Sequence, residues 1–212
     1  MALTMIDTLI EQTETRATGQ VVLGDNPLIM TQIFRPENNL VVWQRSLSTQ
    51  LLNEIEESIT QKPNWQIVLQ TTQDEAFDEL ADALSDWSCA QELSCDITQL
   101  IEMYSVLFEA KRVGVRLTVL ESTMCPRFHV DRVGCRLVTT YYGQATQWIK
   151  GENAVQMTQD YPDALIEQMN TGDVALLKGT HWEGNELHGI VHRSPPATEN
   201  ALRLLLTIDF ID

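Results

Sequence analysis

The sequence predicts an α+β protein in which a mainly helical region, residues 1–112, packs on a β-rich core, residues 113–212, as one integrated domain. Three observations predict this: amphipathic helical stretches fill much of the first half, short β-rich runs follow Gly114, and all four histidines lie in the second half.

Residues 48–61 place Leu51, Leu52, Ile55 and Ile59 at helical spacing and stop before Lys62-Pro63. Residues 73–87 repeat the pattern with Phe77, Leu80, Ala81 and Leu84, and residues 96–112 with Ile97, Leu100, Ile101, Tyr104, Leu107 and Phe108. Between the first two helices, residues 65–70 predict a short strand. Beyond Gly114 the expected strands are 115–120, 128–130, 135–142, 146–150, 174–177, 190–192 and 202–210. Turn signals such as Asn170-Thr171-Gly172 and Glu183-Gly184-Asn185 separate several of them. Closely spaced strands without long intervening helices point to a sandwich or a small barrel. In the last strand Leu202, Leu204, Leu206, Ile208 and Phe210 share one face, to be packed on the helices. Arg203, Leu205, Thr207 and Asp209 share the other. Arg203 then points into the barrel, where a guanidinium needs an anionic partner, either a bound ligand or an internal carboxylate.

Composition narrows the function. The 212-residue chain is 43% hydrophobic and 21% charged, as ordinary folded domains are. Its 30 acidic and 14 basic residues give a net charge of -16. That excess repels phosphate backbones and anionic membranes, so neither nucleic acid nor a membrane is an expected partner. Arg127, Arg132 and Arg136 form a local basic cluster within this acidic chain. No apolar run approaches the ~20 residues that span a bilayer, and Met1–Glu14 carries no basic leader before an apolar segment. Cytoplasmic residence is expected, with Cys89, Cys95, Cys125 and Cys135 as free thiols. Nothing marks a particular substrate, small molecule or protein, or an oligomeric state.

The chemistry concentrates at His129-Val130-Asp131, where two-residue spacing on a strand puts an imidazole and a carboxylate on one face. A distant histidine added to them makes a two-His, one-carboxylate set with open coordination positions, suited to non-haem Fe(II). His192 precedes the inward-facing Arg203 by eleven positions.

These residues resemble the Fe(II)/2-oxoglutarate-dependent oxygenase superfamily. The resemblance runs through His129-Val130-Asp131, Arg136-Leu137-Val138-Thr139-Thr140-Tyr141-Tyr142, Gly143-Gln144-Ala145-Thr146-Gln147-Trp148, Gly172-Asp173-Val174, His192-Arg193-Ser194 and Arg203-Leu204-Leu205-Leu206. It implies a double-stranded β-helix (a jelly-roll, cupin-like barrel) over roughly residues 113–212. It also implies Fe(II) on His129, Asp131 and His192, with Arg203 pairing with the far carboxylate of 2-oxoglutarate. More narrowly, Cys125-Pro126-Arg127-Phe128-His129-Val130-Asp131 and Val191-His192-Arg193-Ser194-Pro195-Pro196 resemble an uncharacterised bacterial family, domain of unknown function 1826. That resemblance covers nearly the whole chain and implies a setting in zinc homeostasis.

Each residue has an alternative reading. His129 and Asp131 also suit a simple hydrogen-bonded pair. His188 is a rival distal ligand, less favoured because the spacing from His192 to Arg203 fits the superfamily pattern. Cys125, four residues before His129, is a rival ligand that would favour Zn(II), or else a small buried residue. With Cys125 in the set, a closed tetrahedral shell and a non-catalytic zinc protein of metal homeostasis become the alternative function. Arg136 and Tyr142 are expected to line the pocket, Tyr142 as a co-substrate contact, and His181 to lie nearby or on the surface.

Overall fold

The computed structural model describes residues 20–151, 158–186, 189–196 and 202–211. In chain order the strands are β1 (Gln20–Gly24), β2 (Asn38–Trp43), β3 (Gln66–Thr71), β4 (Val113–Leu120), β5 (Cys135–Tyr142), β6 (Gln147–Ile149), β7 (Ile166–Gln168), β8 (Val174–Lys178), β9 (His192–Arg193) and β10 (Arg203–Phe210). The helices are α1 (Thr49–Thr60), α2 (Ala76–Ala83) and α3 (Ala90–Phe108), with a 3-10 helix at Pro27–Phe34.

Seven strands form the large sheet, in the order β1-β2-β8-β5-β10-β4-β3, and β7-β6-β9 form a small one. All neighbours are antiparallel except β1 and β2. The strands thus make two facing sheets, the jelly-roll arrangement expected, as a sandwich rather than a closed barrel. Two apolar layers hold it. Leu137, Tyr141, Leu176, Leu204, Leu206 and Ile208 join the helices through Leu51, Ile55, Leu93, Ile97, Ile101 and Tyr104. Between the sheets lie Leu40, Val42, Val138, Trp148, Leu177 and Leu205. The alternation expected along the last strand is therefore realised, with its leucine and isoleucine face on the helices.

Each helix has a local cause. Ser48 Oγ accepts from Leu51 N at 3.0 Å, capping α1 one residue after the expected start. The third helix begins a turn and a half earlier than expected because Leu93 extends the buried stripe of Ile97, Leu100, Ile101 and Tyr104. It ends where Glu109 turns left-handed, at φ 53°. The second is shorter than 73–87, since Leu84 and Trp87 reach the core from the turns that follow it.

The mainly helical first half also contributes strands: the expected β3, and β1 and β2, which the sequence pattern did not reveal, all belong to the large sheet. Strand β2 escapes alternation because both its faces are covered, Val41 by the helical layer and Leu40 and Val42 by the inter-sheet layer. Such a strand reads as an unbroken apolar run. Residues 128–130, expected as a strand, form a single bridge between His129 and His192. Their other side is held by a side chain: Gln159 accepts from Phe128 N at 3.0 Å and donates to Phe128 O at 2.9 Å. Cys89, Cys95, Cys125 and Cys135 are free thiols. No helix among the described residues is long and apolar enough to cross a membrane.

Candidate metal centre

Strand β9 and the 128–131 segment lie side by side, with His129 N donating to His192 O at 3.0 Å and His192 N to His129 O at 2.9 Å. The reciprocal pair brings the two rings to 4.5 Å between centroids. Each imidazole is oriented by its own chain: His129 Nδ1 lies 2.9 Å from Arg127 O, and His192 Nδ1 lies 3.1 Å from Ile190 O. A carbonyl oxygen only accepts, so both Nδ1 atoms carry the proton, and a neutral ring keeps its lone pair on Nε2.

Asp131 faces both lone pairs. Its Oδ1 is 3.6 Å from His129 Nε2, and its Oδ2 is 3.5 Å from His192 Nε2. These separations exceed a hydrogen bond, yet suit donors around a shared cation, where ligands about 2.1 Å from a metal stand roughly 3 Å apart. All three ligand atoms lie within 4.8 Å of one another. Left to themselves they repel, so the cluster calls for protons or a cation. Accordingly the Asp131 carboxylate raises the His129 pKa, opposed by burial. Burial pushes the Asp131 carboxyl up, but the facing imidazoles and the Arg136 guanidinium outweigh it and hold it well below the usual carboxylate range.

The loop carrying Asp131 is fixed by close backbone packing. Thr180 N donates to Asp131 O at 2.9 Å, Gly179 N to Gly134 O at 3.0 Å and His181 N to Val133 O at 3.1 Å. A Cβ on Gly179 would stand 2.3 Å from Val133 O and 2.6 Å from Asp131 O, so only glycine fits there.

The cluster opens on a cleft of about 240 Å³ lined in part by His129, His192, Arg136, Thr146, Thr207 and Arg203. Arg203 is 7% exposed. Its guanidinium donates to Ser194 Oγ, Thr140 Oγ1 and Thr146 Oγ1, each at 3.0 Å, while the buried Nε has no partner among the described residues. Burial pushes its pKa down to about 10, with Cys125 opposing. Among the described residues no carboxylate pairs with Arg203.

Arg136 is bound differently. It makes a fork to Asp209, Nε to Oδ1 and Nη2 to Oδ2, both 2.8 Å, and gives Nη1 to Asp131 Oδ2, also at 2.8 Å. Of the rivals, Cys125 is exposed on the cleft wall and stands outside the ligand cluster. His188 lies outside the described residues, and His181 is exposed. Tyr142 turns out of the His/Asp cleft: its hydroxyl donates to Glu56 of α1, and it lines a neighbouring cleft with Glu56, Gln144, Pro195 and Arg203. The reason lies in the β5/β10 register, which slips between Leu204 and Leu205 and sends Tyr142 towards α1. Sequence reasoning missed Ser194, Thr140 and Thr146 as Arg203 acceptors and Asp209 as the Arg136 partner. The register beside Arg136 was the signal for the last.

A family model, Protein of unknown function (DUF1826), matches residues 24–209. The chain belongs to this family. No curated protein matches it. Among solved structures, this DUF1826 protein is similar to the Arabidopsis thaliana dioxygenase for auxin oxidation 1 in a 2-oxoglutarate complex, at 11% identity and a TM-score of 0.54. The match covers 90% of this chain and 91% of that one. It is also similar to the dioxygenase for auxin oxidation of rice, at 9% identity and a TM-score of 0.51, over 90% and 82% of the two chains. These likenesses establish the fold of the DUF1826 chain as that of the double-stranded β-helix oxygenases. They extend well beyond residues 113–212, because β1, β2 and β3 belong to the same sheet.

Proposed function

We propose that this protein is an Fe(II)- and 2-oxoglutarate-dependent oxygenase acting on an unidentified substrate. The carrying observation is Arg203: a buried guanidinium whose partners among the described residues are all hydroxyls, lining the same cleft as His129 and His192. Burying an unpaired cation is costly unless a ligand completes it. Ser194, which receives Arg203 Nη1, stands two residues beyond His192, roughly 7 Å of strand. A short dicarboxylate held by Arg203 therefore has its other end near the His/Asp cluster.

The donor set fits Fe(II): two neutral imidazole nitrogens and a carboxylate, with no fourth protein ligand among the described residues. His129, Asp131 and His192 would hold the ion, and Arg203 would bind the far carboxylate of 2-oxoglutarate by charge-assisted hydrogen bonds. When bound, iron and 2-oxoglutarate together supply the activation of dioxygen that oxidises a substrate C–H bond. Thr140, Thr146 and Ser194 hold the guanidinium in place, and the backbone carbonyls of Arg127 and Ile190, by taking the Nδ1 protons, would leave both Nε2 lone pairs free for the ion.

Incubation of the purified chain with Fe(II), oxygen and 2-oxoglutarate should yield succinate. Arg203→Ala should weaken 2-oxoglutarate binding by about 100-fold or more, the cost of stranding a carboxylate without its partner, and leave metal affinity within a few-fold. Equal 2-oxoglutarate affinity in that variant overturns Arg203's role. Tight Zn(II) in protein purified without a tag, with no succinate formed, transfers the reading to a non-catalytic metal-homeostasis protein.

A further inference from the structure

We propose that Arg136 and Asp209 form a positioning pair that sets how Asp131 meets the metal. This inference rests on the metal-centre reading above and adds to it a role for two residues outside the ligand set.

Strands β5 and β10 run antiparallel with Leu137 opposite Ile208, which stations Arg136 beside Asp209 on the cleft face. The fork to Asp209 uses Nε and Nη2 and fixes the guanidinium plane. One donor, Nη1, is left to point at Asp131, and it takes Oδ2 at 2.8 Å. Oδ1 has no such donor; it faces His129 Nε2 at 3.6 Å. The carboxylate is thereby held in one rotation, with Oδ2 occupied by Arg136 and Oδ1 left to serve as a single-oxygen ligand. Coordination positions then stay open for other oxygen ligands.

Charge explains why the pair is a pair. A lone guanidinium touching a metal ligand would repel a divalent cation. Asp209 offsets that charge, so the pair contributes orientation while adding no net charge. Arg136 acts through Asp131 and is a positioning residue in that sense.

The test is a Co(II) titration of the full chain, reading affinity by calorimetry and coordination by the visible bands. The double variant Arg136→Met/Asp209→Asn removes both members without changing net charge. It should lose roughly 10- to 100-fold in Co(II) affinity, the usual scale for groups that orient ligands, and its bands should shift because the carboxylate is free to turn. Arg136→Lys keeps the charge but has no fork to span both carboxylates, so it should restore neither affinity nor spectrum. If the double variant fails to fold, as circular dichroism would reveal, Arg136→Lys carries the same expected shift alone. Wild-type affinity and bands in the variants remove the positioning role and leave the metal centre standing. A wild-type chain that takes up no Co(II) removes the metal centre itself, and the pair's role with it.

Discussion

Two imidazoles, each tied through Nδ1 to a carbonyl two residues earlier, have a single nitrogen left to offer, and both offer it to the space beside Asp131. His129→Ala or His192→Ala should therefore abolish stoichiometric metal binding, measured by calorimetry; a retained one-to-one stoichiometry in either would remove that histidine from the ligand set. His129 and Asp131 were legible from their two-residue spacing, and His192 from its spacing to Arg203 in the superfamily pattern. Arg203 was legible from alternation along one strand. Tyr142 was misplaced because its direction depends on a register slip between two strands, which a single strand's pattern does not contain. Tyr142→Phe should leave 2-oxoglutarate affinity unchanged and lower stability by at most about 1 kcal/mol, since it deletes one partly exposed hydrogen bond to Glu56. A large loss of co-substrate affinity in that variant would restore Tyr142 to the site.

At the scale of elements, three segments were read almost to their bounds. Strand β5 has the expected bounds, and the first helix and last strand fall within a residue or so of them. Strand β2 was lost because burial on both faces erases the alternation. Residues 128–130 were over-read because Gln159, distant in sequence, replaces a strand neighbour. What positions Asp131 is likewise an element contact rather than a motif: the 131–134 loop lies on Gly179 at a distance no Cβ tolerates. Gly179→Ala should push that loop off the end of β8, lowering metal affinity by more than tenfold, since a displaced ligand costs at least as much as a lost orienting group. Tm should fall by several degrees, as for an overpacked core site. Titration with Co(II) alongside thermal unfolding measures both, and a variant with native affinity would mean that the loop is held elsewhere. Ser48→Ala, which removes the α1 cap and an exposed hydrogen bond to Glu92, should cost about 1 kcal/mol and leave metal affinity untouched, separating general destabilisation from damage to the site.

Across the whole molecule, the large sheet divides two chemistries. The inter-sheet side carries the cleft; the helical side is mostly apolar and holds a buried lysine, Lys178, at the end of β8 and 1% exposed. Its Nζ donates to Arg35 O at 2.9 Å and lies 4.7 Å from the centre of the Trp182 ring, with no carboxylate in contact among the described residues. Burial pushes its pKa down to about 8 from an ordinary 10.5, against smaller opposing effects of Cys135 and Glu37. The sign follows from proton counting. Between about pH 8 and 10.5 the unfolded chain holds the Lys178 proton more tightly than the folded chain, so stability rises with pH through that window. Below it the lysine is charged in both states, and its full cost, roughly 3 kcal/mol, burdens the fold. Arg35 O keeps a second donor, Asn38 N at 3.1 Å, so replacing the ammonium strands no acceptor. Lys178→Met should therefore be more stable than wild type at pH 7, and the gap should close as pH approaches 10.5. Urea unfolding of both proteins at pH 7, 8, 9 and 10 measures it. Two stability curves that run parallel across that range would show that Lys178 keeps an ordinary pKa in the fold, and that the sheet's helical side tolerates its charge without penalty.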